Sequence, residues 1–184
     1  MGSQHNYQKL VTKVRGIDWI KYTNYVPFWI KHDPTIRDIW RNTPAMIWII
    51  YVKTDPPKWM LHDPTLQSKH GNTLAMKWIM DNKTEPPEWM RHKPRIRHHR
   101  GDTPAILLIR YVQTEPPAWM RHDPTIRDAG ENTLAMFWIV DVKTEPPGSF
   151  APENFVPEWM RHDPTLQNNC GTTLAMFWIV FVKT

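Results

Sequence analysis

The chain has 184 residues, of which 41% are hydrophobic, and its formal net charge is +5. A single cysteine, Cys170, excludes an internal disulfide, and no apolar run approaches the roughly 18 residues that a membrane-spanning helix needs. We therefore expect a cytoplasmic protein that stays out of the membrane, with a core built largely from its eleven Trp and ten Met residues.

A motif of thirty residues repeats along the chain. The tetrad Trp-Met-x-His starts at Trp59, Trp89 and Trp119, and a variant of it starts at Trp29. The last copy starts at Trp159, forty residues further on, because ten residues are inserted before it. A fixed period of this length is typical of a solenoid, in which each repeat buries its apolar face against its neighbours.

The repeats predict a single repeat domain over residues 1–184. An N-terminal half-repeat, residues 1–26, is followed by five repeats, which we number first to fifth. They span residues 27–56, 57–86, 87–116, 117–156 and 157–184, and the fourth carries a loop insertion at residues 148–157.

Each repeat predicts two helices in chain order, here described for residues 73–92. Thr73 suits a helix N-cap, because its hydroxyl can accept a hydrogen bond from an unpaired backbone N–H. Apolar residues follow it at the three- and four-residue spacing of a helix. The pair Pro86-Pro87 should end this first helix and start a second, running from Glu88 to about His92.

A loop precedes the first helix of each numbered repeat. Asp-Pro pairs mark its start, since the residue before a proline is disfavoured in the α conformation. The loop should then need a residue with positive φ, and Gly71, Gly101 and Gly171 stand at that position. Arg41 and Glu131 depart from this glycine pattern.

One alternative architecture remains open at the level of sequence. Stretches such as residues 47–52 and 177–182 are rich in β-branched and aromatic residues, which favour strands. A solenoid with one short strand per repeat is therefore the alternative to paired helices.

The loop and first helix of the fifth repeat resemble an ankyrin repeat. The resemblance is carried by His162-Asp163-Pro164-Thr165-Leu166-Gln167-Asn168-Asn169-Cys170-Gly171-Thr172-Thr173-Leu174-Ala175-Met176. The family pattern there is roughly Ala-Asp-x-Asn-x-x-Asp-x-x-Gly-x-Thr-Pro-Leu-His. The resemblance covers about residues 27–184 and implies an all-α, ankyrin-like helix-turn-helix solenoid that binds rather than catalyses. The repeat is shorter than the family's length of about 33 residues, the second helix is short, and Met76 replaces the family's histidine.

The repeated histidines do not predict a metal site. Each repeat carries one, and helices in neighbouring repeats lie about 8–10 Å apart, whereas zinc requires nitrogens at about 2.0–2.1 Å from one ion. Hydrogen bonds to loop backbone are the better interpretation. Because the chain also lacks a glycine-rich phosphate loop and a serine beside a repeated His–Asp pair, we predict no catalytic residue, no metal and no cofactor.

Departures from the repeat pattern mark the candidate binding residues. The third repeat has Lys93 and Arg95 where other repeats have Asp and Thr, and no acidic residue lies between Arg91 and Arg100. Such a cluster fits an acidic partner. The predicted partner-binding residues are Arg91, Lys93, Arg95, Arg97 and Arg100, with Trp40, Phe150 and Phe155 as apolar anchors. The predicted assembly face is Phe177, Trp178 and Phe181.

The sequence therefore predicts a non-catalytic protein–protein interaction scaffold that uses its loop tips and first-helix face. One alternative is a structural subunit that self-associates through the uncapped C-terminal helix. A second alternative is nucleic-acid binding through the basic loop at residues 91–100. We expect a protein partner, with an acidic surface, and no membrane partner.

Overall fold

The computed structural model describes Ile20, residues 33–121, residues 126–143, Asp163 and residues 165–181. The helices are α1 (Pro44–Val52), α2 (Leu74–Asn82), α3 (Pro104–Val112), α4 (Leu134–Phe137), continued by a π-helix at Trp138–Val142, and α5 (Leu174–Phe181). Short 3-10 helices lie at Lys58–Met60, Glu88–Met90 and Ala118–Met120.

The regular structure of the described residues is helical, and none of them belongs to a β-strand. Their only sheet-like pairing is an isolated bridge between Gln167 and Thr173. The all-α prediction is confirmed, and the alternative with one strand per repeat is wrong. The β-branched residues of α1 are accommodated in a helix because most of that helix is buried, and burial outweighs their local preference.

Contacts within the chain define two compact parts. The N-terminal part comprises residues up to Asn82 together with Pro86–Met90, and the C-terminal part comprises Lys83–Glu85 and the residues from Arg91 onward. In the N-terminal part α1 packs against α2. In the C-terminal part α3 packs against α4 and the π-helix, which in turn pack against α5. Within each part, consecutive repeats are therefore neighbours in space, as a solenoid requires.

The predicted threonine caps begin every first helix. The hydroxyl of the threonine accepts a hydrogen bond from the backbone N–H three residues later, at 3.3–3.4 Å, in all five described repeats. Pro44 and Pro104 occupy the first turns of α1 and α3, where a missing N–H costs nothing. The capping threonines are Thr43, Thr73, Thr103, Thr133 and Thr173.

The first helices end earlier than the proline pairs predict. α2 ends at Asn82, four residues before Pro86, and Lys83 then takes the left-handed conformation with φ of 59°. The same conformation follows the first helix in the first, third and fourth repeats, at Lys53, Gln113 and Lys143. A left-handed residue that turns the chain, and not the prolines, thus ends each of these helices.

The second helix is also shorter than predicted. The expected helix from Glu88 to about His92 is a single 3-10 helix that ends at Met90. In the second and fourth repeats the residue after it, Leu61 or Arg121, is already extended, with ψ of 134° or 136°. The next proline follows closely and keeps the residue before it out of the α conformation, so that the chain has room for only about one turn.

Methionines form much of the core. Met60, Met90 and Met120 of the 3-10 helices are fully buried, as are Met46 and Met76 of the first helices. The tryptophans that precede the 3-10 methionines are only half-buried. The repeated Trp-Met pair therefore contributes its methionine to the interior and its indole to the edge of the core.

Candidate functional site

The loop before each first helix forms the same tight turn in all five described repeats. The side chain at its first position accepts a hydrogen bond from the backbone N–H four residues later, at 2.7–3.2 Å. Asp, Ser, His and Asn all serve, because each offers an acceptor at the required reach. The residues at this position are Asp38, Ser68, His98, Asp128 and Asn168.

The fourth position of the turn takes a positive φ in every case. Gly71, Gly101 and Gly171 have φ of 73–84° there. Arg41 and Glu131, which lack the predicted glycine, adopt the same conformation with φ of 59° and 61°. The turn thus keeps its backbone conformation without glycine. Arg41 and Glu131 bear a conformational cost there, because a residue with a Cβ is disfavoured at positive φ.

Neighbouring turns are joined through their backbones. Lys69 N donates to Trp40 O at 2.7 Å in the N-terminal part. In the C-terminal part Ala129 N donates to Arg100 O at 3.1 Å, and the next tip is joined in the same way through Gly130 O at 3.0 Å. These bonds hold the loop tips in rows, so that the tip side chains form a positioned surface within each part.

Trp40 lies at one of these tips, as predicted. Its side chain is 47% exposed, its ring stacks on His70 with centroids 6.0 Å apart, and the Lys69 ammonium lies 5.4 Å from the ring centroid. Ile39 beside it is also exposed. The role of Trp40 as a partner contact stays a prediction. Phe150 and Phe155, the other two predicted anchors, lie outside the described residues.

The five predicted basic residues of the third repeat are all exposed. In the first, second and fifth repeats the aspartate before the proline accepts two hydrogen bonds from the threonine two residues later. Asp63, for example, accepts from Thr65 N at 2.8 Å and from its Oγ1 at 2.7 Å. Lys93 and Arg95 replace this pair. In the third repeat, two exposed cations therefore stand in place of an aspartate and a threonine that hydrogen-bond to each other.

The backbone of this loop persists without the aspartate. Ile96 N donates to Lys93 O at 3.3 Å, as Leu66 N donates to Asp63 O at 3.2 Å in the second repeat. The turn therefore does not depend on the carboxylate, and the two positions are free to carry other side chains.

The basic residues differ in their contacts. Arg97 Nη1 donates to Arg127 O of the next repeat at 3.1 Å, and Arg97 therefore ties repeats together besides adding charge. Among the described residues, no hydrogen bond or ion pair engages the side chains of Lys93, Arg95 and Arg100. We define these three residues as the basic patch.

A buried polar cluster, which the sequence analysis did not predict, lies below the third loop tip. Asp102 is 1% exposed, and its Oδ2 accepts a hydrogen bond from Arg110 Nη1 at 2.7 Å. His98 Nε2 lies 3.4 Å from the same oxygen. Burial lowers the pKa of His98 to about 4, helped by His99 and by the nearby charges of Arg110 and Arg100. Burial also raises the pKa of Asp102, and Arg110 partly offsets that rise.

The sequence marks this cluster by two charged residues, Asp102 and Arg110, at positions where the other repeats are neutral. Other repeats have Asn or Thr at the position of Asp102 and an aliphatic residue or Met at that of Arg110. Elsewhere the turn aspartate accepts from the asparagine, as Asp38 Oδ2 does from Asn42 Nδ2 at 3.0 Å. In the third repeat the carboxylate belongs to the last residue of the turn, Asp102, where it faces the imidazole of His98 at 3.4 Å, and Arg110 balances its charge.

The repeated histidine bonds to loop backbone, as expected from the sequence. His62 Nδ1 lies 2.8 Å from Asp63 O and must donate to it, since a carbonyl only accepts. Its Nε2 then accepts from the Thr43 hydroxyl at 2.7 Å. Burial lowers the pKa of His62, which favours this neutral form. His62 thus joins the cap of one repeat to the loop of the next.

The first-helix face of the C-terminal part contains a depression with a cavity volume of about 250 Å³. It lies between α3, the segment of α4 with the π-helix, and α5. Arg110 stacks over the Phe137 ring, with its guanidinium carbon 4.5 Å from the ring centroid. The side chains that shape the depression include Arg110, Asn132, Met136, Phe137, Asp141 and Phe177.

The predicted assembly face on α5 is only partly exposed. Phe181 is 40% exposed and stacks on Phe177 with centroids 6.0 Å apart, while Phe177 and Trp178 are half-buried. More of the exposed apolar surface of this helix belongs to Ile179 and Val180, which are 55% and 57% exposed.

No helix within the described ranges combines the length and apolar character needed to cross a membrane. Nor do three or more His, Cys, Asp or Glu side chains converge as metal ligands anywhere that the coordinates are described.

Comparisons with known proteins find similarity to solved structures. No family model matches the sequence, and no curated protein matches it. The crystal structure of an ankyrin repeat protein is similar to this chain with a TM-score of 0.43 and 15% sequence identity, over 91% of this chain and 88% of the other.

Proposed function

We propose that the protein is a non-catalytic interaction scaffold that binds a protein partner through its loop tips and first-helix face. The observation that supports this most is the contrast between a constant turn and variable side chains. The backbone bonds of the turn recur in every described repeat, whereas its tip residues range from Trp40 to Gly130. Surfaces of this kind, with varied side chains on a rigid support, are where binding residues concentrate.

The basic patch is the part of this surface that we assign to an acidic segment of the partner. Lys93 and Arg95 stand where Asp63 and Thr65 of the second repeat satisfy one another. Because the two cations have no such partner in the described residues, they can bind carboxylates without breaking an existing contact. Exposed charges of this type mainly raise association rates and set specificity.

A variant that carries the residues of the second repeat at these two positions tests this assignment. The double variant Lys93→Asp with Arg95→Thr reproduces the second repeat, so it removes the cations while restoring the local hydrogen bonds. Its free energy of unfolding should be unchanged or higher. Binding of a fluorescent octaglutamate peptide, measured by anisotropy at about 50 mM salt, should weaken about tenfold or more, since surface charges at low salt are weakly screened.

A control of equal charge change is Lys58→Asp with Lys53→Asn, two exposed lysines outside the basic patch. Asparagine suits the left-handed conformation of residue 53, so this variant should fold. It should lose less than about threefold in affinity, because isolated exposed charges contribute little. Equal losses in both variants would mean that only net charge matters, and the basic patch would be rejected.

The nucleic-acid alternative has a distinct outcome in the same assay. Tighter binding of a DNA duplex than of the peptide, with a steep dependence on salt, would favour that alternative over an acidic protein segment. Peptide binding that exceeds duplex binding at equal charge would support the protein partner.

A second candidate function, self-association through α5, has its own supporting observation. The sequence Leu-Ala-Met-Phe-Trp-Ile-Val occurs twice, at residues 134–140 and 174–180. Met136 and Ile139 in the first copy are buried, whereas the equivalent Met176 and Ile179 are 51% and 55% exposed. α5 carries no charged residue. In the first copy, residues 134–140, the apolar side chains are covered by neighbouring helices of the same chain. In a dimer, the apolar surface of a second chain would cover residues 174–180 in the same way.

Sedimentation velocity tests self-association. A dimer that appears with rising concentration and is abolished by Val180→Glu, with unchanged helical circular dichroism, would support it. A monomer at every concentration up to about 200 µM, well above the micromolar dissociation constants of stable interfaces, would reject it.

A further inference from the structure

The depression on the first-helix face contains a carboxylate, that of Asp141, to which no described side chain is bonded. Asp141 accepts from Gln113 Nε2 at 2.9 Å, but only through its backbone carbonyl. Among the described residues, no side chain forms a hydrogen bond or ion pair with its carboxylate. Burial raises the pKa of Asp141, and Arg110 partly offsets that rise.

The second repeat shows how an aspartate at this position is balanced. Asp81 is the equivalent residue, and Lys77 one helical turn earlier feels its charge: burial lowers the pKa of Lys77, and Asp81 acts against that change. In the fourth repeat Phe137 stands at the position of Lys77. The aspartate is therefore kept, but the cation is replaced by an aromatic ring.

The charge of Arg110 acts on Asp141, but among the described residues Arg110 gives that carboxylate no hydrogen bond. Its Nη1 is bound to Asp102 Oδ2 at 2.7 Å, and its guanidinium lies on Phe137. The charged groups that act on Asp141 are thus the guanidinium of Arg110 and a second carboxylate, that of Asp102, which Arg110 already binds. The Asp141 carboxylate lies beside apolar side chains such as those of Met136 and Phe177.

The backbone that carries Asp141 is unusual. Residues 134–140 pass from α4 into the π-helix, although the identical heptapeptide at residues 174–180 is α-helical throughout. The π-helix is therefore not dictated by these seven residues, and arises from the surroundings of the fourth repeat. Single π turns are rare and occur frequently at functional sites.

We propose that this depression binds an arginine or lysine side chain of a protein partner, with the cationic end at the Asp141 carboxylate and the methylenes against Met136 and Phe177. The volume of about 250 Å³ lies below the roughly 300–1,000 Å³ of small-molecule pockets and suits one side chain. The carboxylate offers such a cation a charge-assisted hydrogen bond, and the apolar side chains cover its methylenes. The inference rests on the proposed first-helix contact surface, but not on the basic patch.

The test uses the full chain and Nα-acetyl-arginine amide as the probe, followed by NMR chemical shifts of the labelled protein. Saturable shifts should map to residues around Asp141 and Phe177. Asp141→Asn should raise the dissociation constant about tenfold or more, because the charge-assisted hydrogen bond is lost. This variant should fold, because it removes only an unpaired, partly buried charge. Thermal unfolding of the variant verifies that point.

Three controls make the outcome decisive. Asp81→Asn, in the repeat that has its own lysine, should leave probe affinity unchanged. Nα-acetyl-norleucine amide, which lacks the cation, should bind about tenfold more weakly than the arginine probe. Lys93→Asp with Arg95→Thr should bind the arginine probe normally even if it has lost the acidic peptide. Equal affinity of Asp141→Asn and the unmodified chain, or no saturable shifts, would overturn the proposal.

Discussion

Arg110 donates to the buried carboxylate of Asp102 at 2.7 Å, and these two residues occur together only in the third repeat. The fourth repeat has Asn132 and Val140 at the same positions. A neutral pair has thus been exchanged for an ion pair without changing the turn that carries it. The pair also holds Arg110 Nη1 at Asp102, and among the described residues no hydrogen bond runs from Arg110 to Asp141.

We expect the two residues of this pair to be strongly coupled. Arg110→Val should lower the free energy of unfolding by about 2–4 kcal/mol, because it leaves a buried carboxylate without its cation. Adding Asp102→Asn should recover at least half of that loss, since it removes the buried charge and gives positions 102 and 110 the neutral residues of the fourth repeat. Urea denaturation of the unmodified chain, both single variants and the double variant gives the coupling energy. Additive losses would show that the ion pair does not stabilise the fold as a unit.

The buried imidazole predicts a loss of stability in mild acid. His98 has a pKa of about 4 in the folded chain against its ordinary 6.5. Between these values the unfolded chain binds a proton that the folded chain does not, so the free energy of unfolding falls as pH drops from about 6.5 to 4. Protonation would also place a cation beside His99, Arg100 and Arg110.

The variant His98→Ser isolates this effect, because Ser68 forms the same turn bond in the second repeat. His62 and His92, whose pKa values burial also lowers, and Asp102, whose raised pKa acts in the opposite direction, are present in both proteins. The stability difference between the unmodified chain and the variant should shrink or reverse from pH 7 to pH 4.5. A difference independent of pH would contradict the assignment of a neutral, buried His98.

The positive φ of the turn predicts opposite effects of substitution at two equivalent positions. Arg41→Gly should raise the free energy of unfolding by about 0.5–1 kcal/mol, because glycine relieves the left-handed conformation that arginine adopts at φ of 59°. Gly101→Ala should lower it by more than about 1 kcal/mol. There φ is 84°, and a Cβ would lie 2.6 Å from Ala129 N, whose bond to Arg100 O joins neighbouring tips.

Thermal and urea unfolding of both variants check this prediction. The control Arg41→Ala removes the same guanidinium but keeps a Cβ in the left-handed conformation, so it should not gain the stability of Arg41→Gly. Equal gains in the two Arg41 variants would assign the effect to the lost side chain instead of the backbone. A stabilising Gly101→Ala would show that the tip backbone can move apart without cost.

Much of the fold could be predicted from the sequence because its signals are local. The threonine caps, the period and the all-α class follow from hydrogen-bonding side chains at fixed spacing. The helix ends could not be predicted in the same way. Lys53, Lys83 and Gln113 adopt a left-handed conformation without the glycine that usually marks it, so the later proline pairs gave the stronger signal for the helix end.

The candidate site shows a similar division. The exposure of Lys93 and Arg95 could be expected, because they replace residues with local partners. The cluster of His98, Asp102 and Arg110 could have been found from two charged residues that appear together where other repeats are neutral. The depression could not, because its shape depends on three helices and on a π-helix that the sequence does not specify.

The two copies of one heptapeptide also limit how this protein can be rebuilt. Residues 134–140 enter a π-helix and residues 174–180 do not. The backbone conformation of this heptapeptide therefore depends on its neighbours in the chain. An array assembled from identical copies of the fourth repeat would preserve the caps and turns. Only a copy that follows the third repeat, however, would have Arg110 in the depression around Asp141. The binding that we propose for the depression would therefore depend on the order of three consecutive repeats, because the third, fourth and fifth repeats all line it.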